Sequence, residues 1–364
     1  MGDRGRRIAI TLGALFAIEA LRHVPLPGVD MAGFWSPDNG GLLGHINEFG
    51  AVKRLSIGAL GAMPLLGAFM LIEVWRTILG NPLPDETVWL RRFEWRRLAV
   101  PLALVTGAFQ AYGIAVALQG MHGFNGRFSV PLVIQPGPVF VVSSVFSMVA
   151  ALALTAWLAA VITRYGLGSG LWVVTGAAAV GLIGRSFGIV AQLVQQEQVP
   201  AVLPFQFAVF LVAAIAVMAL CWRASSPSRA SLGVDPWPPI MAAAATPYVY
   251  HWVVSAFHGR DTYAVAYFNA EPLRAYRLWT SIFAGSVIVI AVLRSVRFHR
   301  EEQPATSLAN ALAPALAAGG IVVAAGYVFA GTVILLKADQ LIPLVAAALA
   351  VHGALRKPSG TPDP

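Results

Sequence analysis

Apolar runs closed by charge or by Pro and Gly clusters recur along the whole chain, over residues 7–25, 55–78, 98–119, 138–162, 171–195, 201–222, 237–256, 275–293, 310–335 and 341–355. A helix of about 20 residues crosses a hydrocarbon core ~30 Å thick. The pattern therefore predicts an all-α polytopic membrane protein with about ten transmembrane helices. The first run follows Arg4, Arg6 and Arg7 like the start of a signal peptide, but Glu19 interrupts it and no small-residue cleavage site precedes Pro25, so it is read as a retained helix. Small residues are dense inside the runs, with Gly58, Gly61 and Gly67 in the second and alanine triplets or quartets at 177–179, 242–245 and 346–348. Such residues let helix backbones approach closely.

Composition sharpens this. Of 364 residues 57% are hydrophobic and 12% charged, with mean hydropathy +0.71, against about 25% charged in soluble domains. That excludes a soluble enzyme on one anchor, a secreted scaffold, a coiled coil and a disordered tail protein. With the N-terminus cytoplasmic, Arg4, Arg6, Arg7, Arg76, Arg91, Arg92, Arg96, Arg97, Arg164, Arg223, Arg229, Arg294, Arg297, Arg300, Arg356 and Lys357 all fall on the inner side. These are 16 of the 25 basic residues, so both termini are expected to be cytoplasmic. The net charge of +8 then faces anionic lipid rather than nucleic acid. Trp75, Trp157, Trp172, Trp222, Trp237, Trp252 and Trp279 lie near run ends, the depth that suits an amphipathic ring, with core packing as the alternative for one or two of them. A lone cysteine, Cys221, excludes an intrachain disulfide and any paired-cysteine site.

Between the first two runs the residues become more specific. Val24-Pro25-Leu26-Pro27-Gly28-Val29-Asp30 is followed by Asn47-Glu48-Phe49-Gly50-Ala51 and by Leu55-Ser56-Ile57-Gly58-Ala59-Leu60-Gly61-Ala62-Met63-Pro64. Further on come Phe109-Gln110-Ala111-Tyr112-Gly113, Ile162-Thr163-Arg164-Tyr165-Gly166-Leu167-Gly168-Ser169-Gly170 and Gly233-Val234-Asp235. In this order the chain resembles the SecY family, the channel subunit of the bacterial protein translocase, strongly over residues 1–200 and less so over 201–364.

The resemblance implies two inverted five-helix halves around a central pore, spans 1–5 in residues 1–200 and spans 6–10 in residues 201–364. No internal repeat is visible in the sequence itself. It implies an apolar pore ring at Ala62, Leu66, Leu171, Thr175, Ile240 and Ile342, which would seal by dewetting. Ala62 is small and Thr175 polar, so a wider or wetter constriction is expected than bulky aliphatics would give. A plug is implied over about 40–52, with Gly44, His45, Ile46, Asn47, Glu48, Phe49 and Gly50, and a lateral gate using Gln110 and Gly113 on one side and Thr246 and Pro247 on the other. Ordinary small-residue packing and a proline kink explain the gate residues equally well. Cytoplasmic docking would fall to Arg223, Arg229, Arg294, Arg297 and Arg300. The implied partners are SecE-like and SecG-like small membrane subunits, an unfolded polypeptide as substrate, and anionic lipid. The short basic segments between spans 6 and 7 and between 8 and 9 put docking of SecA or the ribosome in question, and Glu301 and Glu302 follow Arg300 at once.

Other constellations favour no chemistry. His23, His45, His122, His251, His258, His299 and His352 lack metal-ligand spacing, no nucleotide or nucleophile motif stands in context, and no cofactor or enzymatic activity is expected. Gly166-x-Gly168-x-Gly170 reads as a tight interhelical turn. Glu19 and Arg22 share a helix face three residues apart and, like Glu73, lie near a run end where they can snorkel; Arg185 lies deeper and has an aqueous vestibule as one reading. Arg91-Arg92-Phe93-Glu94-Trp95-Arg96-Arg97 reads as a basic aromatic loop, a partner-binding or topology-setting flank. The resemblance thus implies a channel subunit for preprotein translocation across, and protein insertion into, the cytoplasmic membrane of a bacterium. The rivals are a degenerate SecY relative acting as an assembly partner, and a small-solute secondary transporter, against which the scarcity of mid-span carboxylates counts.

Overall fold

The computed structural model describes residues 3–31, 55–79, 88–120, 133–197, 201–224, 240–241, 281–282, 284–293, 316, 319–320 and 338–356. Seven long helices stand in this set: α1 (Asp3–Leu21), α2 (Met63–Leu79), α3 (Val88–Gly120), α4 (Pro138–Tyr165), α5 (Gly170–Gln195), α6 (Leu203–Ala224) and α7 (Ala338–Arg356). They correspond to the first six and the last of the ten apolar runs. Of the remaining runs the described residues show the helical stretch Ala284–Leu293 and shorter pieces. Among the described residues Leu98–Gln119 and Pro138–Tyr165 are long and apolar enough to cross a membrane outright, and Met63–Trp75, Gly170–Gly181, Pro204–Ala216, Ala284–Leu293 and Pro343–His352 are shorter apolar helices.

Two boundaries differ from the sequence expectation, each for a local reason. The second helix begins at Met63 and not at residue 55, because residues 55–58 give their backbone groups to the end of the first span. Leu26 donates its N–H to the Leu55 carbonyl at 2.8 Å, Ile57 to Val24 at 2.9 Å, and Gly58 to Leu21 at 3.1 Å. Gly61 then takes a φ of +55°, a left-handed conformation open mainly to glycine. Pro64 falls in the first helical turn, where its missing N–H costs nothing. The third helix starts earlier than expected, at Val88, so the segment Arg91–Arg97 is helical and not a loop. No glycine or proline interrupts residues 88–100, and the helix runs through Pro101, whose missing N–H leaves the Arg97 carbonyl without its intrahelical donor. Its 33 residues reach about 50 Å, well beyond a ~30 Å hydrocarbon core.

The chain divides into two compact units, Met1–Ile72 with Asp85–Ala178 and Lys357–Pro364, and Glu73–Pro84 with Ala179–Arg356. In the first, α4 packs along both α3 and α1. The α3 face that does this is a ladder of small residues: Ala99, Ala103, Gly107, Ala111 and Ala115 recur every fourth residue and are buried. Four-residue spacing puts them on one side of the helix, and their size lets α4 approach closely. A Cβ on Gly107 would run into the Leu152 side chain and lie 3.6 Å from Leu60 and 3.7 Å from Pro64. The matching face of α4 carries Phe140, Ser144, Met148, Ala151, Leu152, Thr155, Leu158, Ala159 and Ile162, all buried. On the opposite faces Phe109, Tyr112, Phe146 and Trp157 are exposed, as a lipid-facing surface requires. In the second unit α6 and α7 pack together, with Ala214 on α6 and Val345, Ala346 and Ala350 on α7 buried.

Candidate functional site

The Pro-Leu-Pro-Gly-Val turn after α1 is clamped from two sides. Pro25 and Ser56 form an antiparallel bridge, as do Val29 and Val133, and Ile134 donates its N–H to the Gly28 carbonyl at 3.0 Å. Gly28 has a φ of +85°, and a Cβ there would lie 3.1 Å from the Phe140 ring. Gly58 is equally constrained, since a Cβ would meet the Arg22 nitrogen and the Leu21 carbonyl carbon at 2.8 Å. Leu26 and Ser56 are almost wholly buried at this junction. Gln119 at the end of α3 closes the same side, donating from Nε2 to the Gly137 carbonyl at 2.7 Å. The family-like motif is therefore a structural lock that fixes where α2 starts.

That start places two of the expected ring residues. Ala62 ends the turn and accepts the Leu66 N–H at 3.0 Å, and both side chains are buried. The other pair opens α5: Leu171 and Thr175 lie one turn apart and are buried. The Thr175 hydroxyl donates to the Leu171 carbonyl at 2.8 Å and reaches that of Trp172 at 3.2 Å. The hydroxyl hydrogen is thus given to its own helix, a back-bond that threonine makes readily inside helices. These four residues belong to the first unit; Ile240 is a buried residue of the second, and Ile342 lies in α7.

Gln110 and Gly113 stand on the exposed face of α3, away from the small-residue ladder, while Gly107 belongs to the ladder. Thr246 and Pro247 lie outside the described residues, as do the plug segment with Lys53 and Arg54, and Arg229, Arg294, Arg297 and Arg300. Arg223 falls in the last turn of α6.

The turn between α4 and α5 is built as the glycine spacing suggested, with a division of labour among its three glycines. Gly168 takes a φ of +75°. Gly166 and Gly170 are needed for space instead: a Cβ on Gly166 would lie 2.6 Å from the Thr11 hydroxyl, and one on Gly170 would run into the Ala159 carbonyl. Two threonine hydroxyls supply hydrogen-bond acceptors that the sequence analysis missed. Thr11 on α1 accepts the Leu167 N–H at 2.9 Å, and Thr163 accepts the Gly170 N–H at 2.8 Å. The available signal was a threonine inside an otherwise apolar run, four residues after Arg7, to whose carbonyl it donates.

The charged outliers divide. Arg22 and Glu19 form an ion pair at 3.2 Å and are part-exposed, so the spacing argument holds and the pair stays near water. Glu73 does not snorkel: it is 3% exposed, because its position on α2 turns it inward. Trp75 and Trp157 are exposed, as interfacial rings should be, but Trp172 is wholly buried and belongs to the core. Arg164 lies over the Tyr165 ring, 5.3 Å from its centroid. Among the described residues no group of His, Cys, Asp and Glu side chains is placed to hold a metal.

Three comparisons with known proteins place this chain beside protein-conducting channels, two by sequence and one by fold. The SecY family model matches residues 56–227. The chain is 36% identical to the protein translocase subunit SecY of Thermus thermophilus over 174 residues, 45% of this chain and 38% of that one. It is 29% identical to SecY of Escherichia coli K12 over 229 residues, 60% and 48% respectively. The chain thus aligns with less than half the length of these relatives. A solved protein-conducting channel superposes at a TM-score of 0.57 with 11% identity, covering 97% of this chain and 92% of that one, and Sec61 from the canine ribosome-channel complex of the endoplasmic reticulum gives the same values. At that identity the superposition speaks for the fold, while the sequence matches show that the chain is similar to SecY proteins over residues 56–227, from the second half of the lock through α6.

Proposed function

We propose that this chain is a protein-conducting channel subunit that passes preproteins across a bacterial cytoplasmic membrane and releases apolar segments into it. The observation that carries the reading is the SecY match over residues 56–227, which begins at the lock and takes in both helix starts of the proposed ring. Ala62 and Leu66 at the head of α2, with Leu171 and Thr175 at the head of α5, would form the described part of an apolar constriction, joined by Ile240 and Ile342. Such a ring excludes ions by dewetting and seals around a passing chain.

The chain is multi-pass, and we place both termini in the cytoplasm on the positive-inside bias. Its two halves, residues 1–200 and 201–364, are read as inverted repeats. The plug is assigned to about 40–52, and Gln110 and Gly113 on the exposed face of α3 would meet Thr246 and Pro247 at a lateral gate. No chemistry is assigned to the subunit, so the driving force comes from a partner. SecE-like and SecG-like subunits are the expected companions; Arg223, Arg229, Arg294, Arg297 and Arg300 are the candidate docking residues, and the short segments that carry them leave docking of SecA or a ribosome in question.

The test is site-specific photo-crosslinking from membranes carrying an arrested secretory precursor. A photoreactive residue at Leu171 or Thr175 is expected to capture the precursor, and one at Phe109, on the outer face of α3, to capture lipid. Absence of precursor from both ring positions, with the arrested chain present in the membrane, refutes the channel reading. Purification in mild detergent then identifies the companions: small SecE-like subunits support a working translocase, and a different stable partner supports a SecY fold retained for assembly.

A further inference from the structure

The α4–α5 turn is held by two hydroxyls that each work in both directions. Thr11 donates to the Arg7 carbonyl at 2.9 Å and accepts from Leu167 N–H at 2.9 Å. Thr163 donates to the Ala159 carbonyl at 2.9 Å and accepts from Gly170 N–H at 2.8 Å. A hydroxyl has one hydrogen to give and two lone pairs to offer, so each threonine is tied to its own helix and to the turn. Only the Thr11 bond joins parts of the chain far apart in sequence, 156 residues distant. Thr11 and Leu167 are both buried, so no water stands in for a lost partner. Gly166 presses on the same hydroxyl, leaving no room for a methyl group between turn and α1. Leu167 lies in the turn four residues before Leu171 and eight before Thr175. The start of α5, whose first two turns hold both ring candidates, is therefore tied to α1 through the Thr11 side chain.

We infer that Thr11 is a positioning residue of the ring: its hydroxyl fixes the α4–α5 turn on α1 and thereby sets where Leu171 and Thr175 stand. This rests on the channel reading above. Losing the bond leaves a buried N–H without an acceptor and frees the turn to shift. The altered placement is read as ion leak through an otherwise sealed constriction.

The experiment uses the full chain with its companions, Cys221→Ser as background, and spin labels at Leu12→Cys and Ala177→Cys, both exposed positions. Thr11→Val removes the hydroxyl at nearly constant volume and Thr11→Ser keeps it. Thr11→Val is expected to broaden the label-to-label distance distribution and to raise ion conductance in planar bilayers about tenfold, the population change of order one lost hydrogen bond. Thr11→Ser is expected to match wild type in both. Leu171→Gly, which opens the ring directly, serves as the control for the channel itself. If Leu171→Gly leaks and Thr11→Val does not, the positioning role is overturned and the channel reading stands. If neither leaks, the channel reading falls and the inference with it. If Thr11→Ser leaks as much as Thr11→Val, the methyl and not the hydroxyl is what matters, which also overturns the inference.

Discussion

Replacing Gly170 by alanine tests the α4–α5 turn with the smallest possible change. A Cβ at this position would run into the carbonyl of Ala159 and lie 2.9 Å from the Thr163 hydroxyl. The first obstacle is backbone in the interior of α4, so no rotamer change can relieve it. Either α5 moves away from α4 or the Gly170 N–H leaves the Thr163 oxygen. Overpacking of this kind costs about 1–3 kcal/mol, and loss of the bond adds about 1 kcal/mol. A total of roughly 2–4 kcal/mol is a factor of about 30 to 1,000 in the ratio of native to disrupted states. Gly13→Ala is the matched control, because nothing lies within 4 Å of its Cβ position and alanine is favoured over glycine in a helix by about 1 kcal/mol. The assay is thermal inactivation in detergent, followed as the fraction of monodisperse protein recovered after heating. Gly170→Ala should lose its midpoint by many degrees and Gly13→Ala should hold or gain. Equal midpoints for Gly170→Ala and wild type would refute the close approach of α4 to α5.

On the small-residue ladder, Ala103→Leu or Ala111→Leu should destabilise by about 1–3 kcal/mol through forced separation of α3 from α4, whereas Val105→Leu on the exposed face should stay near wild type in the same assay. Ser144 has a buried hydroxyl with no hydrogen-bond partner among the described residues, so Ser144→Ala is expected to be neutral or to stabilise by up to about 1–2 kcal/mol; a loss of stability would show that the hydroxyl has a partner. Apolar replacement of both Lys53 and Arg54, beside the proposed plug, should alter ion leak in planar bilayers, and unchanged conductance would count against a plug at 40–52.

What the sequence determined by itself follows from solvent. A chain of 57% hydrophobic and 12% charged residues can satisfy its backbone inside lipid only by forming helices or a closed barrel, and runs of this length select helices. The first six runs and the last one are helical for that reason, all but the second and third at close to the expected bounds. The pairing of Glu19 with Arg22 and the turn at Gly166–Gly170 were legible too, because both depend on spacing within a few residues. The late start of α2 was not, since the donors of residues 26, 57 and 58 are claimed by a segment some 30 residues away, and an apolar window cannot register that competition. Nor was the helical character of Arg91–Arg97, where charge ahead of Pro101 looks like a loop but the helix runs through the proline. The burial of Trp172 and Glu73, the bonding of Thr175 and the role of Thr11 are likewise properties of neighbours. Hydropathy reports what each residue prefers as solvent; which hydroxyl faces which N–H is decided only when helices distant in sequence pack, and the tertiary structure alone contains that choice.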